Sequence, residues 1–273
     1  MFPFPSHGDY RRKNMFQDLQ DLGLTTNLKV CLDAGNLASY GNQTDKWMDL
    51  SGNGYDFFKG SGTGADGGDP TFNGVTGNRS INEYFSSDGG DYFTYDTTNE
   101  AWMQTLHKDA AQFSACAWVY WPSSHAADSG IFGTAAANST DAGVRLFIDN
   151  ATHNFAFTSS KGSGGGAISL QGPATLTADA WNFVGLAVNE NGGVNTSAYI
   201  TNTTSSLVAT AMNYTTPSAA NATYTMNVGG VGGGLRPIVS SGRIGSIALW
   251  QGTVLTPTNF TDIYSKTKGR YGL

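Results

Sequence analysis

The sequence feature that most constrains the fold is the run Phe113–Trp121, which reads Phe-Ser-Ala-Cys-Ala-Trp-Val-Tyr-Trp and carries no charge. Side chains alternate between the two faces of a strand, and in this run both faces are apolar in character. A strand of this kind is covered on both sides, and Pro122 ends it because proline has no N–H to donate to a neighbouring strand. The run therefore predicts the central strand of a sheet that is buried between two layers.

Many further segments show the alternation of short strands, with turn signals between them. Trp181–Asn189 and Arg243–Trp250 are the clearest. Helical signals occur at Met15–Leu22, where the apolar residues are spaced for one helical face, at Thr98–Leu106, and at Pro257–Tyr264, where a threonine and a proline supply the start of a helix. Because no crossover helices alternate with the strands, a parallel α/β fold is excluded. The sequence predicts an all-β fold, namely a two-sheet antiparallel jelly-roll sandwich with short peripheral helices.

Charge and cysteine content restrict the partners and the compartment. The formal net charge is −6, whereas binding to nucleic acid needs clustered lysine and arginine, so no nucleic-acid partner is expected. No apolar run approaches the about 18 residues that span a bilayer, and the basic cluster near the N-terminus follows aromatic residues, which is unlike a secretory signal peptide. Cys31 and Cys116 are interpreted as two buried thiols, with a single disulfide as the alternative.

Residues 1–26 differ in composition from the rest and are predicted to form an N-terminal arm, followed by one domain over residues 27–273. The arm is rich in aromatic residues, which disordered tails seldom carry, and we interpret it as a docking segment. A frayed terminus is the alternative. The candidates for contact with a partner are Phe2, Phe4, Tyr10, Arg11, Arg12 and Phe16.

The chemistry of hydrolysis is not visible in the sequence. A glycanase with a β-sandwich fold needs two carboxylates on one face of a strand. None of the three glutamates, Glu83, Glu100 and Glu190, lies in such a pattern. The four histidines have no metal-ligand spacing. The glycine-rich stretch Gly229–Gly234 is not followed by a helix, and it is predicted to be a loop between strands rather than a phosphate-binding loop. We therefore expect no catalytic residues.

Two kinds of binding residue remain as candidates. Asp66-Gly-Gly-Asp69 and Asp88-Gly-Gly-Asp91 place paired carboxylates on tight turns, and oxygen ligands of this kind suit calcium. The same Asp-Gly pattern is also typical of simple turns in which the aspartate caps its own backbone. Exposed aromatic residues would form a platform for carbohydrate, although aromatic residues in strands commonly belong to the core. The aromatic candidates are Tyr92, Trp118 and Tyr120.

The order of several motifs resembles a concanavalin A-like jelly roll of the laminin-G/pentraxin type. The motifs are Trp47-x-Asp49-x-Ser51-Gly-Asn-Gly54, Asp88-Gly-Gly-Asp91-Tyr92, Ala180-Trp-Asn-Phe-Val184, and Gly242–Trp250 followed by Leu255-Thr-Pro257. The resemblance covers roughly residues 28–273 and implies the sandwich fold. Since related domains hold calcium on loops at the sandwich rim, it also implies Asp88 and Asp91 as calcium ligands.

A stand-alone module of this type without a recognisable signal peptide, ending in Lys268-Gly-Arg-Tyr-Gly-Leu273, looks similar to virion proteins of tailed bacteriophages, which leads to a first hypothesis about function. We expect a non-enzymatic virion structural protein, either a capsid decoration or a fibre-type component, that contacts other virion proteins through the arm. The alternative is a calcium-supported adhesin that binds cell-surface glycans. A polysaccharide hydrolase or lyase is the third hypothesis. An arm of this kind is also compatible with a symmetric homo-oligomer.

Overall fold

The computed structural model describes residues 13–273 with the exception of 42–44, 76–81, 109, 126, 137–139, 163–166, 191–195 and 210–219. Within these residues the chain is almost entirely β-structure. Two α-helices, α1 (Met15–Asp21) and α2 (Pro257–Thr267), flank it near the two ends of the sequence. Short 3-10 turns occur at Met103–Thr105, Gly232–Gly234 and Lys268–Tyr271.

Sixteen strands lie within the described residues. In chain order they are β1 (Leu28–Asp33), β2 (Lys46–Trp47), β3 (Phe57–Lys59), β4 (Thr71–Asn73), β5 (Tyr84–Ser86), β6 (Phe93–Tyr95), β7 (Gln112–Trp121), β8 (Ser129–Gly133), β9 (Ala142–Ile148), β10 (Phe155–Lys161), β11 (Ala167–Gln171), β12 (Ala180–Asn189), β13 (Thr196–Thr201), β14 (Thr204–Ala209), β15 (Asn227–Val228) and β16 (Arg243–Gln251).

The strands form two antiparallel sheets that pack face to face. The first sheet has the order β14-β13-β12-β7-β16-β5-β4, and the second has the order β11-β10-β9-β8-β15-β6-β3-β2. Strand β1 also belongs to the first sheet, where it pairs with the Ser246–Trp250 part of β16, beyond a register shift that ends the pairing of β16 with β5. The predicted all-β, jelly-roll-like sandwich is confirmed.

The centre of the first sheet is strand β7, as its apolar sequence predicts. Strand β12 pairs along one side of it and β16 along the other. Its inward side chains, among them Phe113, Val119 and Trp121, join the main core between the two sheets, and all three are buried. A strand hydrogen-bonded on both edges and apolar on both faces needs a cover on its outer face as well.

Helices α1 and α2 and the C-terminal turn provide that cover. A second apolar cluster lies between the outer face of the first sheet and these elements, and it includes Met15 and Leu19 of α1 with Phe260 and Ile263 of α2. The predicted start of α2 is confirmed, because the Thr256 side chain accepts a hydrogen bond from the Asn259 backbone and proline occupies the first turn. The helix continues three residues beyond the predicted end at Tyr264.

Three other expectations are corrected or refined. The sequence of Asp88–Asp91 predicts either a hairpin turn or a bulged corner, and the structure shows the corner, at which the chain passes from β5 in the first sheet to β6 in the second. Thr98–Leu106 forms only the 3-10 turn Met103–Thr105, although Trp102, Met103 and Leu106 are buried as the spacing predicts. Cys31 and Cys116 are free and buried.

Part of the predicted N-terminal arm is folded onto the sandwich. Helix α1 packs on the first sheet, and the Met15 N–H donates a 2.7 Å hydrogen bond to the buried Asp33 carboxylate. Phe2, Phe4, Tyr10, Arg11 and Arg12 lie outside the described residues, so the docking role of the arm stays a prediction. No helix in the described part of the chain is both long and apolar enough to cross a bilayer.

Candidate functional site

The two Asp-Gly-Gly-Asp turns meet at one rim of the sandwich. Backbone hydrogen bonds between Gly60 and Tyr92 and between Tyr92 and Gly68 join the glycine-rich loop to the start of β6. The Asp66 carboxylate accepts hydrogen bonds from Ser61 and from the Gly68 N–H, and these donors lower its pKa. Asp66 is exposed, and it stabilises the turn that follows it.

The second turn uses its aspartates in the same way. The Asp91 carboxylate accepts a 3.0 Å hydrogen bond from the Asp88 N–H, and the Asp88 carboxylate accepts from the Gly90 N–H. Burial raises the pKa of Asp91. Oδ1 of Asp69 is buried without a hydrogen-bond partner. No group of three or more acidic, histidine or cysteine side chains that could hold a metal is found among the described residues, and calcium at this rim stays a prediction.

A shallow groove of about 290 Å³ lies beside this rim. Its walls include the rings of Tyr92 and Tyr224, and the 3-10 turn at Gly233 and Gly234 runs between the rings without side chains to obstruct them. Burial, followed by the nearby Asp66 and Asp69, raises the pKa of Tyr92. The Asn227 side chain, which lines the groove, is already engaged within the protein. It accepts a hydrogen bond from the Gly234 N–H and donates to the Phe93 carbonyl and the Thr94 hydroxyl. The groove therefore presents two tyrosine rings to a ligand but few hydrogen-bond donors that are not already engaged within the protein.

Trp118, predicted as a binding residue, is not available to a ligand. Its side chain is fully buried beneath the C-terminal elements, where its ring stacks with Tyr264 and Tyr271. Its indole N–H donates a 2.8 Å hydrogen bond to Thr267. Trp118 lies on the outer face of β7, but α2 and the following turn cover this part of the sheet, so the alternative of a core position is the one that the structure shows.

Two residues further along β7 the outer face of the first sheet is partly exposed, and four side chains form a compact group. We call this group the aromatic platform, and it consists of Tyr84, Tyr120, Trp181 and Arg243. The Arg243 guanidinium carbon lies 4.2 Å from the centre of the Tyr120 ring and 4.7 Å from that of Tyr84. The Trp181 ring meets both tyrosines edge to face, at 5.6 Å from Tyr84 and 5.9 Å from Tyr120.

The register of the first sheet places these side chains in a row. Trp181 on β12 is the partner of Tyr120 on β7, and Tyr120 is the partner of Arg243 on β16. Arg243 is in turn the partner of Ser86 on β5, and Tyr84 lies two positions away on the same face. Four neighbouring strands thus contribute to the platform, and its side chains converge above the sheet, since the rings of Trp181 and Tyr84, on the two outermost of these strands, are 5.6 Å apart. At one end the platform borders the buried cluster, because Trp181 contacts Tyr271 at 4.7 Å.

Arg243 differs from the other arginines of the described chain. Arg270 pairs with Asp33, Arg236 pairs with Asp128, and Arg145 donates to the Ala136 carbonyl. No hydrogen bond or ion pair of the described residues engages the Arg243 guanidinium, which lies over the two tyrosine rings. Such stacking leaves the N–H groups at the edge of the guanidinium available to an outside acceptor.

Sequence reasoning identified only Tyr120 of the four platform residues. The other three are separated from it along the chain, and only strand register brings them together. The alternation of side chains along the strands could have identified the other three, because Tyr84, Trp181 and Arg243 each lie on the outward side of a strand. The fold also brings the rings of His125 and His153 to 4.7 Å from each other, beside Trp121, which the spacing of the histidines did not indicate.

Phe16 is the one docking candidate whose surroundings the structure describes. It lies on α1, is partly buried, and packs against the cluster beneath that helix. Its ring therefore contributes to holding α1 on the sandwich.

Comparison of the sequence with protein-family models and with curated proteins finds no match. The structure, in contrast, is similar to several solved structures. It superposes on a botulinum neurotoxin type C, a toxin whose cell entry depends on interaction with two ganglioside molecules, with a TM-score of 0.54 and 14% identity, over 90% of this chain and 52% of that one.

A sialidase from Trypanosoma rangeli is similar as well. In complex with 2,3-difluorosialic acid it gives a TM-score of 0.56 at 12% identity, over 90% of this chain and 33% of that one. In complex with sialic acid it gives 0.54 at 12% identity, over 90% and 34%. The chain has a jelly-roll-like β-sandwich fold. It spans between a third and about half of the length of these larger proteins, and at this identity the likeness concerns the fold.

Proposed function

We propose that this protein is a non-enzymatic, lectin-like module that binds a glycan on the aromatic platform. The observation that carries the proposal is the arrangement of Trp181, Tyr120 and Tyr84 on a partly exposed sheet face, with an unpaired arginine between the tyrosines. Aromatic rings bind the apolar C–H faces of sugar rings, and a few polar groups beside them fix the orientation of the ligand.

The comparisons support the proposal without deciding it. One similar structure is a toxin that interacts with gangliosides, and another is a sialidase solved with sialic acid. Both are glycan-recognising proteins on a related framework, and a shared fold alone does not transfer a function. The sialidase likeness also raises hydrolysis as an alternative. Sialidases use a tyrosine as the nucleophile, but the leaving group must still be protonated, and the platform contains no carboxylate or histidine that could act as the general acid, so we propose binding.

A glycan array with variants at both candidate surfaces tests this function. Tyr120→Thr removes a ring of the platform while keeping a residue that suits a strand, and Tyr224→Ala removes the exposed ring of the groove beside Tyr92. We expect binding by the wild type, loss with Tyr120→Thr and retention with Tyr224→Ala. Loss with Tyr224→Ala alone would move the site to the groove. Repeating the array with chelator and with added calcium tests the predicted calcium support, for which Asp69→Asn is the matching variant.

We propose the surface of a tailed-phage particle as the setting of this module, either as a capsid decoration or as a fibre-type component. The support is the aromatic and basic segment ahead of the sandwich, whose composition suits docking onto a larger assembly. Sedimentation of the native lysate, with the protein followed by mass spectrometry, tests this setting. Migration with large particles at a fixed stoichiometry is expected. A protein that stays at the top of the gradient would contradict the virion location while leaving the glycan proposal untouched.

A further inference from the structure

The chemical environment of Arg243 narrows the ligand beyond the class of glycan. In a protein of net charge −6, three of the four described arginines are engaged by a carboxylate or a backbone carbonyl. Arg243 has neither, and none of the acidic side chains in the described chain lies within ion-pair distance of it. A partly exposed guanidinium fixed by two rings is a preorganised cation, and its fork of N–H groups matches an oxyanion.

We infer that the aromatic platform binds an anionic glycan, in which Arg243 takes a sugar carboxylate or sulfate while Trp181 and the tyrosines take the neighbouring sugar face. This inference rests on the proposed function and specifies its ligand. The charge is complementary, because the platform carries one positive group and no negative one. The tyrosines hold the guanidinium in place before binding, so little side-chain entropy is lost when the anion arrives.

The groove beside Tyr92 has the opposite character, which argues that the anionic ligand belongs to the platform. Asp66 and Asp69 lie close enough to Tyr92 to affect its phenol, and no basic side chain lines that groove. An anionic sugar would be repelled there. The two surfaces thus predict opposite preferences for ligand charge, although both present tyrosine rings.

The test compares ligands that differ only in the anionic group. 3′-Sialyllactose, which carries a carboxylate, is compared with its methyl ester, and sulfated lactose, which carries a sulfate, is compared with lactose. For longer chains, oligogalacturonate and its methyl ester form a matched pair. We expect array binding to anionic glycans, with affinity at least about ten-fold weaker for the neutral partner, and a decrease with added salt. Preference within the lactose set distinguishes carboxylate from sulfate.

Variants at Arg243 test the residue itself. Arg243→Gln should weaken binding of the anionic ligand by about ten- to a hundred-fold and leave the neutral partner unchanged. Arg243→Lys keeps the charge but loses the planar fork, and its affinity should lie between those of wild type and Arg243→Gln. Lys59→Gln, which removes one positive charge from the other sheet, is the control and should have no more than a small effect. Melting temperatures of all variants check the fold.

The outcomes separate this inference from the proposed function. If neutral glycans bind as well as anionic ones and Tyr120→Thr abolishes both, the platform is a glycan site and the inference about charge is wrong. If anionic glycans bind but neither Arg243→Gln nor Tyr120→Thr changes the affinity, the platform is not the site and both proposals fail for it. If no glycan on the array binds, both are overturned. The comparison of anionic with neutral glycans uses only the wild-type protein, so it tests the inference even if the Arg243 variants are destabilised.

Discussion

One ion pair ties the two ends of the described chain to the sandwich. The Arg270 guanidinium donates to both oxygens of Asp33, at 2.8 Å for Nη1 and Oδ2, and both side chains are almost fully buried. The Met15 N–H of α1 donates to the same carboxylate. Asp33 on β1 therefore holds the C-terminal turn and the first helix simultaneously. The pairing of Asp33 with Arg270 could not be predicted from the sequence, because 237 residues separate the two.

We predict that Arg270→Gln lowers the free energy of unfolding by about 3–5 kcal/mol, because removal of one partner leaves a buried charge without compensation. Lys13→Gln is the matched control, since it breaks the exposed Lys13–Asp21 pair, where little or no loss is expected. Urea unfolding followed by tryptophan fluorescence measures both. Equal losses in the two variants would contradict the assigned role of the buried pair.

A second residue, His107, makes stability depend on pH. Its side chain is fully buried, its Nε2–H donates to the Ala220 carbonyl, and Nδ1 has no partner. Burial lowers its pKa to about 4, below the value of about 6.5 expected in the unfolded chain. The unfolded state therefore binds the proton first. The stability from this group is complete above pH 6.5 and is lost as the pH falls towards 4.

We predict that His107→Gln flattens the decrease in stability between pH 6.5 and pH 4 by up to about 3 kcal/mol, which is the pKa difference expressed as free energy. The buried Asp18 has the opposite tendency, since burial raises its pKa to about 6, but it is present in both proteins and cancels in the comparison. Parallel slopes of unfolding free energy against pH in the two proteins would show that His107 does not titrate on unfolding.

At the scale of elements, the sequence predicted what is encoded locally. Strand β7 and helix α2 follow from an apolar run and from a cap with a proline, and both were found close to the expected bounds. The corner at Asp88–Asp91 was ambiguous because the same turn chemistry serves a hairpin and a change of sheet. Pairing decides between them, and it depends on distant strands. The aromatic platform was missed for the same reason, since its four residues meet only through the register of four strands.

The cap of α2 gives a prediction at this scale. The Thr256 hydroxyl accepts a hydrogen bond from the Asn259 N–H, and α2 covers Trp118 and the second cluster. Thr256→Ala should lower the free energy of unfolding by about 1 kcal/mol. Thr261→Ala on the exposed face of the same helix should be neutral or slightly stabilising, because its hydroxyl bonds only to the Pro257 carbonyl of its own helix. Thermal unfolding of the two variants separates the effect of losing the cap from the general effect of replacing a threonine of this helix by alanine.

For the whole molecule, the question is where the folded module ends and a docking segment begins. The predicted division at residue 26 would place α1 in the arm, yet Met15 and Leu19 are fully buried against the first sheet. Burying two such side chains contributes on the order of 3–6 kcal/mol, and the hydrogen bond to Asp33 adds to it. Removal of residues 1–26 would therefore disturb folding and docking together, and its effect on either could not be interpreted.

Removal of residues 1–12 separates the two. We predict that this variant retains the melting temperature and the glycan affinity of the full chain, because Met15, Leu19 and the platform are all kept, whereas removal of residues 1–26 lowers the melting temperature strongly. If the chain is a virion protein that docks through its N-terminal segment, the shorter deletion also abolishes incorporation into particles, measured by sedimentation. Unchanged incorporation would place the docking surface on the sandwich itself. A lowered melting temperature would show instead that residues 1–12 belong to the folded unit.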